Sequence, residues 1–335
     1  MRPDDISPPT RKRPKLVVMV AFDGASSLDI VGPLDVLSGS IVATQSDTPD
    51  YSVEIASRKG ELISTTPAGI SIATKPFEAF ENREIDTLMI AGGESIDLAV
   101  ADAQLIAWIA KTAIRARRVA SVCTGAFLLA ETGLLSGRRA TTHWRWAKQF
   151  QEQYPAVQVE VDKIYVKDGK FFSSAGIAAG MDLALGLIED DLGPQTALAV
   201  AQNWVMFLKR PGGQSQFSSL LPPSTQAQGP IADLLPWLQD NLNTDLSVEK
   251  LAGKCGMSDR NFARKFVSEV GVTPSKFVES IRLQAAKSYL ETTPTAIEVI
   301  AAQTGFVSAD RMRRSFLRNL KVNPQDYRER FRFRQ

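Results

Sequence analysis

One pattern is written twice within residues 248–327, and this duplication constrains the fold more than any other feature of the chain. Leu251, Ala252 and Gly256 recur as Ile300, Ala301 and Gly305 at a spacing of 49. After one inserted residue, Ser258, Phe262, Arg264, Phe266 and Val267 recur as Ser308, Met312, Arg314, Phe316 and Leu317 at a spacing of 50. The tails GVTPSKF and KVNPQDY align as well, with Pro274 over Pro324 and Phe277 over Tyr327. Matching at so many apolar, glycine and proline positions marks an internal repeat.

Each copy opens with a helical spacing of apolar residues: Val248, Leu251, Ala252 and Cys255, then Ile297, Ile300, Ala301 and Thr304. Gly256 or Gly305 then allows a sharp turn, and Ser258 or Ser308 can cap a second helix. The inner face of that helix holds Phe262, Phe266 and Val270 in one copy, and Met312, Phe316 and Leu320 in the other. Its outer face is basic: Arg260, Asn261, Arg264 and Lys265 in the first copy, Arg311, Arg313, Arg314 and Arg318 in the second. A short helix, a glycine turn and a second helix with Arg and Asn outward make a helix-turn-helix, whose second helix enters the DNA major groove. Between the copies Ser275 to Glu291 reads as one helix, about 25 Å long, able to hold two recognition helices about one DNA turn apart. Charge agrees in sign. Residues 231–335 carry 17 Lys+Arg against 12 Asp+Glu, whereas residues 15–230 carry 18 against 23. A basic module on an acidic body suits a nucleic-acid reader joined to a sensing or catalytic domain.

The N-terminal two thirds follow a different rule. From Lys15, strand-like runs (KLVVMVAF, YSVEIAS, IDTLMIAGG) alternate with helical patterns, one of them near Asp97 to Ala116. Such alternation predicts a parallel sheet covered on both faces. KIYVKDGKFFSSAG reads as a hairpin turning at Asp168-Gly169, followed by helices over Ile177–Asp190 and Pro194–Lys209. Residues 209–230, rich in Gly, Pro, Ser and Gln, read as a linker. The domains are therefore 15–208 and 231–335, with residues 1–14 a polar, Pro-rich tail expected to be disordered. That opening lacks the apolar core of a signal peptide, and no apolar run approaches a membrane span, so a cytoplasmic protein without membrane contact is expected. Cys123 and Cys255 have no metal-ligand neighbours at CxxC or CxxH spacing, so neither zinc nor a disulfide is indicated. No cofactor is implied.

RRVASVCTGAFLLAETGLL, residues 117–135, holds the chemical question. Val119–Val122 suits a buried strand and Gly125–Leu135 a helix, which puts Cys123 at a strand-to-helix turn aimed into a cleft. The helix N-terminus there is expected to lower the thiol pKa.

The tandem region, with SDRNFARKFVSEVGVTPSKFVESIRLQAAKSYL followed by IAAQTGFVSADRMRRSFLRNLKVNPQDYRERF, resembles the DNA-binding domain of the AraC/XylS family of bacterial transcription regulators. By that resemblance Arg260, Arg264, Arg311 and Arg314 take positions that face bases or phosphates, while Ala263 stands where relatives can carry a longer polar side chain. The first two thirds resembles the DJ-1/PfpI branch of the class I glutamine amidotransferase-like fold, a flavodoxin-like α/β sheet. SLDIVGPLDVL puts Asp29 where those proteins often hold a Glu beside the thiol, AGGES supplies a Gly turn, Cys123 is the elbow and TTH brings His143. The combination is similar to GlxA-type regulators, which implies a small-metabolite sensor ahead of an all-α tandem helix-turn-helix domain.

Asp29, Gly92, Gly93, Cys123 and His143 are expected to converge at the carboxyl ends of parallel strands, the usual ligand site of open α/β sheets. Glu94, Thr124 and Trp144 join the expected ligand set. Trp144 is either core packing or, with Trp146, an aromatic wall for a cationic ligand. Cys123 has three open readings: a ligand-lining residue, a nucleophile served by His143 and the N–H groups of Gly92, Gly93 or Thr124, or a small residue at a tight turn. The sequence favours a regulator that is not an enzyme, with a double-stranded DNA operator, an amino-acid or amine effector, a homodimeric state and RNA polymerase as its partners. The rival reading is a cysteine-dependent hydrolase or hydratase.

Overall fold

The computed structural model describes residues 13–44, 48–209, 213–217 and 229–332. The chain divides into two compact units, Met1–Arg210 and Pro211–Gln335. The expected tail falls almost wholly outside the described residues.

In the first unit seven strands form one sheet: β1 (Lys15–Val20), β2 (Tyr51–Ser57), β3 (Lys75–Pro76), β4 (Thr87–Ile90), β5 (Arg118–Val122), β6 (Tyr165–Asp168) and β7 (Phe171–Ser174). Their order is β6-β7-β5-β4-β1-β2-β3, parallel throughout except for the antiparallel β6–β7 hairpin. Alternate residues of β1 show why both faces are covered. Leu16, Val18 and Val20 join one apolar layer with α2 (Ala103–Arg115) and α3 (Gly125–Glu131). Val17 and Met19 join the other, with α1 (Ser27–Ser38), α4 (Ala178–Leu192) and α5 (Pro194–Asn203). At the amino-terminal ends of the strands, buried Arg118 pairs with Asp191 at 2.6 Å and Tyr51 donates to the same carboxylate at 2.8 Å. That tie leaves the carboxyl ends of the strands for the site.

Three sequence expectations shift. The helix expected over Asp97–Ala116 is two, Ile96–Val100 and α2, because Asp102 breaks the run and its carboxylate caps α2 through Gln104 and Leu105 N–H. The helix expected to run from Pro194 to Lys209 ends at Asn203. Ser27–Thr44 does reach the length and mean hydropathy, 1.2, of a membrane span. It is nevertheless two helices meeting at Gly39, with Asp29, Ile30, Leu34, Val36 and Leu37 buried in the α/β unit.

The second unit is helical. Ahead of the repeat lies α6 (Pro230–Asp240); the first copy is α7 (Val248–Lys254) and α8 (Asp259–Val270); α9 (Pro274–Thr292) connects; the second copy is α10 (Ile297–Gln303) and α11 (Ala309–Leu320), followed by α12 (Pro324–Phe331). The duplicated positions are duplicated in packing. Leu251, Ala252, Phe262, Phe266, Val270 and Phe277 are buried in one core, and Ile300, Ala301, Met312, Phe316, Leu320 and Tyr327 in another. Each core needs one further helix. In the first, α6 supplies Ile231, Leu234 and Leu238; in the second, the later half of α9 supplies Leu283, Ala286 and Leu290. Ser308 caps α11 through Arg311 N–H at 3.2 Å, whereas Ser258 occupies the cap position of α8 without a side-chain bond. Within the stretch read as a linker, Gln214–Gln216 form a 3-10 turn with both glutamines buried, and Gln216 accepts from Arg330 at 3.2 Å. Those residues belong to the helical unit, and most of the rest of that stretch lies outside the described residues.

Candidate functional site

Cys123 follows β5 with φ +57, a left-handed conformation that costs a non-glycine residue about 1–3 kcal/mol and persists only when its surroundings impose it. Here they do. The Cys123 N–H donates to Ser174 O at 3.0 Å, and its carbonyl accepts from Thr142 Oγ1 at 2.9 Å. Gly92 and Gly176 close over the turn from either side: a Cβ on Gly176 would lie 2.2 Å from Cys123 Cβ and one on Gly92 2.8 Å from it. The next residue but one after Ala175, Ile177, is also left-handed at φ +52, and its N–H donates to Asp29 Oδ1 at 2.6 Å.

Asp29 therefore anchors strained backbone from the first turn of α1 and lies fully buried. Its second oxygen, Oδ2, has no partner at hydrogen-bond geometry, although the thiol of Cys123 and the N–H of Gly92 adjoin the carboxyl. Burial dominates and raises the Asp29 pKa to about 6, against the pull of Ile177, Cys123 and Gly92. The thiol is raised too, first by burial and then by the Asp29 carboxylate, with Thr124 opposing. This reverses the sequence expectation. A helix N-terminus lowers a thiol pKa only where solvent or a counter-charge stabilises the thiolate, and Cys123 is 8% exposed beside an acid.

The other expected partners are placed differently from one another. Thr124 Oγ1 accepts from Gly93 N–H at 2.8 Å and donates to Gly93 O at 2.9 Å, so that amide is committed and does not face an oxyanion. Glu94 is exposed in the turn after β4. His143, half-buried, accepts at Nδ1 from Arg145 N–H at 3.3 Å, and its ring lies 5.4 Å from that of Trp144. Burial and then Arg145 lower its pKa, whereas the thiol is moved by burial, Asp29 and Thr124. The Arg145 guanidinium itself sits over the Trp144 ring at 5.7 Å, on the aromatic surface expected to take a cationic ligand. Among the described residues no group of three His, Cys, Asp or Glu could hold a metal ion. Sequence reasoning undervalued Gly176 and Ile177; the Ser-Ser-Ala-Gly-Ile run before α4 is the signal, small residues where two backbones meet.

On the helical unit, Arg260, Asn261 and Arg264 are exposed on α8 and Lys265 is half-buried. Arg264 donates to Asn261 Oδ1 at 3.0 Å, and Lys265 pairs with Glu269 at 3.6 Å. On α11, Arg311, Arg313, Arg314 and Arg318 are all exposed. Asp310 pairs with Arg314 at 3.1 Å and with Arg313 at 3.6 Å, while Arg318 is held by Glu279 of α9. Apart from that last tie and the partly covered Lys265–Glu269 pair, these are local pairs between exposed groups, which phosphates or base edges can displace at small cost. Glu279 was not anticipated; its carboxylate sits in the otherwise apolar run Phe277, Val278, Ile281.

A strained cysteine elbow in a doubly covered α/β unit, joined to paired basic recognition helices, defines a DNA-binding transcription regulator with a DJ-1-like ligand-sensing domain. Residues 15–190 match the DJ-1/PfpI family and residues 251–330 a helix-turn-helix domain. The chain is 30% identical to the HTH-type transcriptional regulator CdhR of Pseudomonas aeruginosa over 72% of either chain. It is 34% identical to an isonitrile hydratase of Pseudomonas putida over 53% of this chain and 73% of that one. Among solved structures, a ThiJ/PfpI family protein from Pseudomonas syringae superposes with a TM-score of 0.51 at 26% identity, covering 62% of this chain and 83% of its own. The chain belongs to the DJ-1/PfpI family, in the group that carries an AraC-type helix-turn-helix domain.

Proposed function

We propose that the chain is an effector-responsive regulator that reads a repeated operator as a homodimer in the cytoplasm, with four helix-turn-helix units per dimer and RNA polymerase as the downstream partner. The observation that carries this reading is the duplicated outer face: Arg260, Asn261, Arg264 and Lys265 on α8, and Arg311, Arg313, Arg314 and Arg318 on α11, over two equivalently packed cores. The effector is an amino acid or amine bound around Asp29, Gly92, Gly93, Glu94, Cys123, Thr124, His143 and Trp144. Exposed Glu94 and half-buried His143 and Trp144 supply polar and aromatic contacts, while the Asp29–Cys123 pair supplies a buried floor whose charge depends on its surroundings. The first unit is a sensor and performs no turnover, since a thiol raised by burial and by an acid is a poor nucleophile.

The test is operator footprinting by the full chain across a salt series, with a thermal-shift panel of amino acids and amines. Log affinity should fall linearly with log salt, losing nearly one unit of slope per phosphate contact. A stabilising ligand should raise the first unit's transition with concentration. Salt-insensitive binding would overturn the DNA reading. The rival, a hydratase-like enzyme, draws on the strained cysteine and the isonitrile hydratase likeness. Turnover of a small substrate that disappears with Cys123→Ser would establish it instead.

A further inference from the structure

The two cores of the helical unit share a single element, α9, and they divide it sharply: Phe277, Val278 and Ile281 pack in the first core, Leu283, Ala286 and Leu290 in the second. Arg282 stands at the changeover. Its Nε donates to Leu242 O and its Nη2 to Thr244 O, both at 3.0 Å, tying α9 to the loop between α6 and α7 of the first copy. That same loop carbonyl meets the turn of the second copy. A Cβ on Gly305 would lie 1.8 Å from Leu242 O and 2.6 Å from Arg282 Nε. Gly256, its counterpart in the first copy, has nothing within 4 Å of such a Cβ. Both glycines have positive φ, +64 and +77, so the turn explains why each is glycine but not why only one is pressed against backbone. Three residues before Arg282, Glu279 adds a second cross-tie, accepting from Ser315 Oγ at 2.6 Å, from Asn319 Nδ2 at 3.0 Å and from Arg318. A groove of about 840 Å3 runs between the copies, lined by Ser247, Glu279, Arg282, Gly305 and Arg314. Beside the continuous helix α9, which packs in both cores, these side-chain ties cross from one copy to the other.

We propose that Arg282, Leu242 O and Gly305 form an interlock that fixes the two recognition helices relative to each other, so that the chain accepts only one spacing between the two DNA segments it reads. The spacing consequence rests on both copies engaging one operator; the interlock itself does not. Arg282 and Gly305 are positioning residues that touch no DNA in this scheme.

The experiment has a DNA-free arm and a DNA arm, both on the full chain. Spin labels are placed at Ser268→Cys on α8 and Leu317→Cys on α11, with Cys123→Ala and Cys255→Ala to remove the native thiols. Wild type should give one narrow distance distribution, Arg282→Met a distribution at least about twice as broad, and Arg282→Lys, which has a single donor nitrogen in place of the two that Arg282 uses, an intermediate width. Gly305→Ala should shift or broaden it, and Gly256→Ala should leave it unchanged. In the DNA arm, inserting one base pair between the two half-sites turns one against the other by about a tenth of a turn. Wild type should lose affinity on insertion, and Arg282→Met should shrink that loss at least about fivefold. An unchanged distance distribution in both Arg282→Met and Gly305→Ala overturns the interlock whatever the DNA does. Broadened distances with wild-type binding indifferent to spacing overturn the two-copy reading and the spacing consequence, and leave the interlock standing.

Discussion

The elbow around Cys123 and the outer faces of α8 and α11 treat polar groups in opposite ways. At the elbow several turn inward and bond one another, Asp29 Oδ2 excepted: Ile177 N–H on Asp29, Gly93 N–H on Thr124, Thr142 hydroxyl on the Cys123 carbonyl. On the recognition helices they stay outward, paired with neighbours three or four residues away, as Arg264 with Asn261 and Arg314 with Asp310. A buried donor that loses its partner costs about 1–3 kcal/mol, whereas an exposed pair can be exchanged for almost nothing. The first region is thus built to hold a shape. The second is built to trade partners, as contact with a polyanion requires.

The sharpest way to break this contrast is to crowd the elbow. Gly176→Ala places a methyl on Cys123, and it should destabilise the α/β unit by about 3 kcal/mol or more, lowering its thermal transition by roughly 6–12 °C. The helical unit has its own cores, so a second transition should remain where it was; one merged and equally shifted transition would contradict two independently packed units.

Asp29→Asn tests whether burial rules the elbow. The folded-state pKa, about 6, lies above the ordinary carboxylate value of 3.8, so the native state holds the proton more tightly. Stability from Asp29 is then complete below about pH 4 and is lost as pH rises through about 6. Asn keeps an acceptor for Ile177 N–H and carries no charge. Denaturant titrations should find the variant gaining on wild type by up to about 3 kcal/mol between pH 4 and pH 7, with the difference flat above that. A variant that loses ground as pH rises would mean that Asp29 is stabilised as the carboxylate.

On the other side of the contrast, Arg264→Ala and Arg314→Ala should each weaken operator binding by about 1–3 kcal/mol if each makes a bidentate base contact. Their footprints should thin in different groove segments. Loss in the same segment would remove the tandem reading. Neither change should move thermal stability beyond about 0.5 kcal/mol, since both side chains are exposed.

The smallest effect expected is on thiol reactivity. Iodoacetamide should alkylate Cys123 at pH 7 at least about tenfold more slowly than a free cysteine, and His143→Ala should leave the rate unchanged. Fast alkylation that requires His143 would restore the nucleophile and with it the enzyme reading. Cys123→Ser should leave operator occupancy intact while shifting the effector concentration at which it responds.

Much of this molecule is legible without coordinates. Short apolar runs give the strands β1, β2, β4 and β5, because a strand buried on both faces needs no polar alternation, and period-3.6 spacing gives the inner faces of α8 and α11. The hairpin at Gly169 and the elbow at Cys123 follow from local turn chemistry. Boundaries fared worse where one side chain decides them, as Asp102 does between two helices that read as one.

The repeat, the alternating α/β order and the turn that carries Cys123 were determined by the sequence itself, since each depends on residues near one another along the chain. The sign of the thiol's pKa shift, the commitment of Gly93 to Thr124, the turning of His143 toward Arg145, and the contact of Gly305 with Leu242 were decided only by the tertiary structure. Asp29 lies 94 residues before Cys123 and Leu242 lies 63 before Gly305. Burial, desolvation and close backbone approach are properties of what surrounds a group in space, and no local pattern encodes them.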